Sequence, residues 1–129
     1  MGDTTKFLSA DSYAVAGASR DESKYGHQVL VALRRSGREV FAINPSATSV
    51  AGQVAYKSLA ELPEVPESLS IVTPPNVTEK IIDEAIRTGV RNIWMQLGAE
   101  HEAASQRARE AGVNVIDDGS CVLVLLAVS

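Results

Sequence analysis

The chain is 129 residues long, 45% apolar and 5% aromatic, which suffices to bury one core and is too little for two lobes around a catalytic cleft. Its formal net charge of −4 argues against nucleic acid or an anionic membrane as a general partner, because both require a basic face. A single cysteine, Cys121, excludes an internal disulfide, and the first residues lack the charged and apolar regions of a signal peptide, so a cytoplasmic single domain over residues 1–129 is expected.

Along the chain, short apolar runs alternate with helical patterns, as in parallel βαβ units. Strands are predicted at residues 13–16, 39–43, 69–73, 92–97 and 113–116. Most are nearly continuous apolar runs, such as Val40-Phe41-Ala42-Ile43, as strands covered on both faces require. Between the first two, Val29, Leu30 and Leu33 form the stripe of a helix over residues 24–35, which Gly37 can stop. A short helical turn over 58–62 ends at Pro63. A helix over 77–88 packs Ile81, Ile82, Ala85 and Ile86 inward, with Asn76 as its cap, Glu79 reaching back in a capping box and Gly89 as its end. The last helix, over 100–111, buries Ala104, Ala108 and Ala111 and stops at Gly112. The apolar run Val122–Val128 is far shorter than the ~20 residues of a membrane span; it reads as a buried strand or a contact surface, and so as a candidate seam for a homo-oligomer.

Five parallel strands joined by right-handed crossovers make an α/β, Rossmann-like three-layer sandwich: a five-stranded parallel sheet with helices on both faces, most simply in the order 3-2-1-4-5. Ligands of such sheets bind at the carboxyl ends of the strands, here near the switch between the first and fourth, and four loops meet that condition. In the first, Gly17 turns the backbone so that the amides of Gly17, Ala18 and Ser19, with the following helix N-terminus, face an anion; Arg20 and Lys24 add positive charge. The plain alternative is a strand-to-helix turn with solvated charges. In the second, Asn44, rigid Pro45 and small neighbours admit a flat ring or a ribose, unless this is only a β-turn.

The third loop holds Thr73, Pro74, Pro75 and Val77, a stiff apolar wall suited to an adenine or a pantetheine arm, or simply the end of a strand. In the fourth, Gln96 ends the strand and Gly98 turns it, leaving an amide to bond a ligand amide or phosphate; Trp94 is expected on the opposite side of the strand, in the core. A dinucleotide fingerprint would need glycine at Ser19 and Glu22, and the second strand ends at Asn44-Pro45 where an acid would read a ribose. No Walker-type Gly-Lys-Ser/Thr follows either.

The segments VAGASRDESKYGHQVL, EVFAINP, TPPNVTEKIIDEAIRTGVRNIWMQLG and AREAGVNVI, with "GAS", "NP", "PP" and "QLG" each following a successive strand, resemble the small stand-alone CoA-binding proteins. These are related to the N-terminal domain of the succinyl-CoA synthetase α subunit, and the resemblance covers about residues 10–117. It implies a Rossmann-like domain with coenzyme A as cofactor. The phosphates would lie on Gly17, Ala18, Ser19, Arg20 and Lys24, and the rest of the molecule on Asn44, Pro45, Thr73, Pro74, Pro75, Val77, Met95, Gln96 and Leu97. The tail DDGSCVLVLLAVS departs from the family's short "DRC"-like segment in having an extra residue, no arginine and an apolar end; Cys121 is the candidate for that cysteine.

Catalysis of hydrolysis or acyl transfer needs a nucleophile, a base and an orienting group together, whereas Cys121, His27 and His101 are far apart in sequence and lack metal-ligand spacing. His27 is expected to face the first loop or solvent, His101 to be exposed, and Cys121 to be a buried thiol. The expectation is a non-catalytic binder of CoA or an acyl-CoA, with no metal. The alternative is an NAD(P)-binding oxidoreductase or redox-sensor module, should Arg20 or Lys24 read a ribose phosphate.

Overall fold

A computed structural model describes residues 2–128, so the ends of the expected domain, Met1 and Ser129, lie outside the described residues. In order, the elements are α1 (Thr4–Leu8), β1 (Ser12–Ala16), α2 (Tyr25–Arg35), β2 (Glu39–Ile43), β3 (Ser49–Val50), β4 (Gln53–Tyr56), a 3-10 turn at Leu59–Glu61, β5 (Ser68–Ile71), α3 (Pro75–Thr88), β6 (Asn92–Met95), α4 (Glu102–Glu110), β7 (Asn114–Ile116) and α5 (Val122–Val128). The seven strands form one sheet in the order β3-β4-β2-β1-β5-β6-β7. All pairs are parallel except the β3–β4 hairpin. A mostly parallel sheet with helices on both faces is consistent with a Rossmann-like fold.

The expected order 3-2-1-4-5 is corrected at one strand. The strand at Leu69, here β5, pairs with β1 in the register Tyr13↔Ser68 to Ala16↔Ile71 and does not lie beyond β2. The place beyond β2 belongs to β4, which the sequence hid: only Ala55 of Gln53–Tyr56 is buried, so there is no apolar run to see. Counted with β4, the parallel strands run 3-2-1-4-5-6, and the direction of winding reverses between β1 and β5. Ala51 and Gly52, both at positive φ, make the tight β3–β4 turn, as two-residue hairpins require.

The core has two layers, one on each side of the sheet. On one side Ile71, Ile82, Ile93 and Met95 pack among α3 and α4. On the other Phe7, Tyr13, Leu30, Trp94 and Val122 pack among α1, α2 and α5. Phe7 is wedged edge-on between Tyr13 and Trp94, with ring centroids 5.7 and 5.1 Å away, so the short α1 closes the sheet near β6.

Three local features differ from expectation. Pro74 is the residue before α3, Pro75 its first residue, and Asn76 lies inside the first turn and caps nothing. Glu79 turns outward to Arg107 of α4 instead of reaching back (3.2 Å). The run from Val122 is a helix packed on α2, with Val122 fully buried and Leu123, Leu125 and Leu126 against the core. Its apolarity therefore covers one face of the sandwich. Among the described residues no helix is long and apolar enough to cross a membrane.

Candidate functional site

At the carboxyl end of β1 the chain turns at Gly17, whose φ is +91° and whose position leaves no room for a side chain: a Cβ there would stand 2.1 Å from the Val72 carbonyl oxygen. Gly26, in the first turn of α2, sits directly on that turn, and a Cβ on it would stand 1.9 Å from the Gly17 oxygen. Two glycines nine residues apart thus bring the start of α2 against the end of β1. The amides expected to hold a phosphate are partly spent, because Gly17 and Ala18 both donate to the Ile43 carbonyl at 3.2 Å, closing the turn onto β2. The donors move one step on. His27 and Gln28 donate to the Lys24 carbonyl (3.1 and 3.2 Å), so the Tyr25 and Gly26 amides are the ones left at the positive end of the helix dipole.

The same two residues line a hollow of about 360 Å³, together with Gly17, Ser23, Lys24 and Val72. Lys24 is its one lining cation; Arg20 is exposed and does not line it. Ser19 shapes the loop, its hydroxyl accepting from the Asp21 amide (3.0 Å) and its carbonyl meeting His27 Nδ1 (2.9 Å). Asp21 is tied down by the Ser23 hydroxyl and amide (2.6 and 2.9 Å), which hold its carboxyl below the ordinary aspartate range.

Across Gly17, toward α3, lies a second hollow of about 240 Å³. Ile43, Pro45, Leu59, Val77 and Ile81 give it an apolar wall, with Lys57 and Glu84 also lining it. Asn44 braces this region: its Nδ2 donates to the Ala18 carbonyl (2.8 Å) and its Oδ1 accepts from the Ser46 and Ala47 amides (2.8 and 3.0 Å), locking the second loop to the first. Thr73 lines the same hollow while its hydroxyl pairs with that of Thr78 (2.8 Å). A third hollow of about 290 Å³ is bordered by Val72, Thr73, Pro74 and Leu97. Pro75, exposed, lines none of the three. Shared residues, Gly17, Val72 and Thr73, make the three one track along the carboxyl edge. Two larger hollows, about 630 Å³ beside α2 and 560 Å³ near Asn92 and Gly112 at the amino edge, lie away from this track.

The fourth loop divides. Met95 is fully buried and takes the Ser105 hydroxyl on its sulfur (3.6 Å), so its side chain belongs to the core. Leu97 is 71% exposed on the track. Gln96 lies between them at 3% exposure, donating Nε2 to the Cys121 sulfur at 3.0 Å, while its Oε1 has no partner. An unpaired buried amide oxygen costs about 1–3 kcal/mol, which a ligand N–H would recover. Trp94, expected on the other side of the strand, shares the face of Gln96, as residues two apart must; its indole donates to the Ser120 carbonyl (2.9 Å), and both side chains meet the segment before α5.

His27, His101 and Cys121 are not brought together. His101 is half-buried, accepting the Ala104 amide on Nδ1 (3.1 Å) as the cap of α4, with Nε2 3.7 Å from Glu79. Among the described residues no three of His, Cys, Asp or Glu are grouped to hold a metal. Sequence reasoning missed Gly26, Lys57, Leu59 and the Gln96–Cys121 contact. Gly26 had a signal, since glycine early in a helix costs about 1 kcal/mol against alanine and calls for a packing reason. Lys57 and Leu59 follow β4 and were lost with it.

A family model described as CoA binding domain matches residues 11–127. The chain is 30% identical over 105 residues to the α subunit of acetate–CoA ligase (ADP-forming) II of Pyrococcus furiosus, covering 81% of this chain and 23% of that one. It is also 30% identical over 96 residues to acetate–CoA ligase (ADP-forming) I of Archaeoglobus fulgidus, covering 74% and 14%. The chain thus spans less than a quarter of the length of these curated relatives. Among solved structures, a conserved hypothetical protein of Pyrococcus furiosus superposes with a TM-score of 0.81 at 34% identity, covering 88% of this chain and 97% of that one. A dinucleotide-forming acetyl-CoA synthetase of Candidatus Korarchaeum cryptofilum, solved with phosphate and ADP, superposes at 0.78 and 28% identity, covering 92% and 28%. With its match running through nearly every described element, the chain belongs to the CoA-binding domain family and is related to the CoA-binding domains of ADP-forming acetyl-CoA synthetases.

Proposed function

We propose that this domain holds coenzyme A or an acyl-CoA along the carboxyl edge of its sheet, without catalysis of its own. The pyrophosphate lies over the Tyr25 and Gly26 amides beside Lys24, the adenine enters the apolar hollow of Pro45, Leu59, Val77 and Ile81, and the pantetheine arm runs past Val72 and Leu97 toward Gln96. The observation that carries this reading is the contact of Gly26 on Gly17: no side chain fits between them, so the start of α2 is held where backbone amides can meet an anion.

Two further features support it. Gln96 Oε1 is a buried acceptor in need of an N–H, and a pantetheine arm has two amide N–H groups to offer. The separation of His27, His101 and Cys121 supports holding the cofactor over transforming it. An NAD reading gains nothing, because the acceptor at the end of β2, Asn44 Oδ1, is already bonded to two backbone amides. Isothermal titration with CoA, dephospho-CoA and NAD tests the proposal. Saturable heat with CoA and none with NAD is expected; binding of NAD in preference to CoA overturns it.

A further inference from the structure

Gln96 and Cys121 make a part-buried polar pair on the α2/α5 side of the sheet. The Gln96 amide donates to the sulfur at 3.0 Å, its own oxygen is buried without a partner, and the sulfur belongs to a residue that is only partly buried, just before α5. The Leu97 side chain, which borders the track, lies within contact distance (3.7 Å) of where a Cβ on Gly119 would sit, so the segment leading to Cys121 adjoins the track. A thiol on a half-buried residue, next to an amide that still needs a donor, fits a ligand carrying both an amide and a sulfur.

We propose that Gln96 and Cys121 form a thiol–disulfide exchange site for the sulfur end of the bound cofactor, an inference that rests on the CoA-binding reading above. A pantetheine amide N–H pairs with Gln96 Oε1 and brings the cofactor's sulfur to the Cys121 sulfur. The reach is sufficient. From β1, where the phosphates bind, to β6 is two strand spacings, about 10 Å. Two amides with three short spacers extend beyond about 10 Å by peptide dimensions.

The co-reactant is a disulfide of CoA. Cys121 gives its S–H proton to solvent, and the thiolate attacks one sulfur of the CoA disulfide. A protein–CoA disulfide forms as the original S–S bond breaks, and the second CoA leaves as a thiolate that takes a proton from water. One disulfide replaces another, so no further oxidant enters, and a small thiol reverses the step. Gln96 is a positioning residue here: its Nε2–H holds the Cys121 sulfur at 3.0 Å while its Oε1 takes the pantetheine amide, which sets the two reacting sulfurs side by side.

Intact-mass measurement of the purified protein with CoA disulfide or glutathione disulfide tests the idea, with a CoA titration run in parallel. Expected is a single CoA adduct, removed by dithiothreitol, absent in Cys121→Ser, and formed at least ten-fold faster than the glutathione adduct. In Gln96→Leu the adduct should form several-fold more slowly with CoA disulfide, whereas the glutathione adduct should form at the parental rate. Should that variant not fold, the contrast between the two disulfides on the parent protein decides. Equal rates with both disulfides, or no adduct while CoA still binds, overturns the exchange site alone; absence of CoA binding in the parallel titration overturns the binding reading beneath it.

Discussion

Replacing Gly26 with alanine perturbs the packing on which the proposed phosphate site depends. The added Cβ would meet the Gly17 oxygen at 1.9 Å, where real contacts of this kind essentially never fall below 3.0 Å, so one backbone must retreat by about 1.1 Å. Neither partner is the flexible tip of a side chain: one is the α2 backbone, the other the end of the fully buried β1. Overpacking of this kind costs about 1–3 kcal/mol. Alanine returns about 1 kcal/mol through helix propensity, which leaves a net loss of about 0–2 kcal/mol. At roughly 4 °C per kcal/mol for a domain of this size, Tm falls by no more than about 8 °C and the variant stays folded. Binding should suffer more than stability, since a shift near 1 Å takes the Tyr25 and Gly26 amides out of hydrogen-bond range of a fixed phosphate. The assay pairs urea unfolding with CoA titration. At least a ten-fold loss of CoA affinity in a folded variant is expected; parental affinity together with a parental unfolding midpoint would refute the packing argument.

Lys24→Ala should weaken CoA binding by about 1–3 kcal/mol and flatten its dependence on salt, whereas Arg20→Ala, outside the hollow, should change either little; titration at two ionic strengths reads both. Phe7→Ala removes the fully buried ring between Tyr13 and Trp94 and should destabilise by about 3–5 kcal/mol in denaturant unfolding, with CoA affinity less affected because the site is at the other end of the sheet. Asp21, whose pKa is lowered first by the Ser23 hydroxyl and then by its amide, contributes stability above the ordinary aspartate pKa of about 4 and loses it as pH falls below that value and through its lowered folded pKa. Thermal unfolding followed from pH 6 down to pH 3 should therefore decline less steeply in Asp21→Asn than in the parent.

Buried parallel strands show themselves as apolar runs, which is why β1, β2, β5, β6 and β7 could be read from the chain. A short strand with a single buried residue, as β4 is beside the β3 edge, does not. In β4 the exposed Val54 alternates with the half-buried Gln53 and Tyr56, and missing it misplaced β5 and took Lys57 and Leu59 out of consideration. Helix ends were legible where glycine marks them, as at Gly89 with its φ of +92°, and misread at Asn76, because proline at the first position of α3 already fixes the start and needs no side-chain cap. The last segment was ambiguous for another reason: seven apolar residues carry no period that separates a strand from a short helix, and only contact with α2 decides. The sequence located all four loops at the carboxyl edge of the sheet. It could not tell which amides were spent, because the bonds from Gly17 and Ala18 to Ile43 cross between strands far apart in the chain. Nor could it show the Cys121 sulfur within 3.0 Å of Gln96, a contact set by how α5 folds back.

Amide chemical-shift mapping of the labelled domain during titration with CoA tests the central claim most directly, because it reports which backbone N–H groups meet the ligand. The largest changes are expected at Gly17, Tyr25 and Gly26, with further changes at Val77 and at the Gln96 side-chain amide. Changes centred on the amino edge, at Asn92 and Gly112, with the Tyr25 and Gly26 amides unmoved, would contradict the placement of the cofactor.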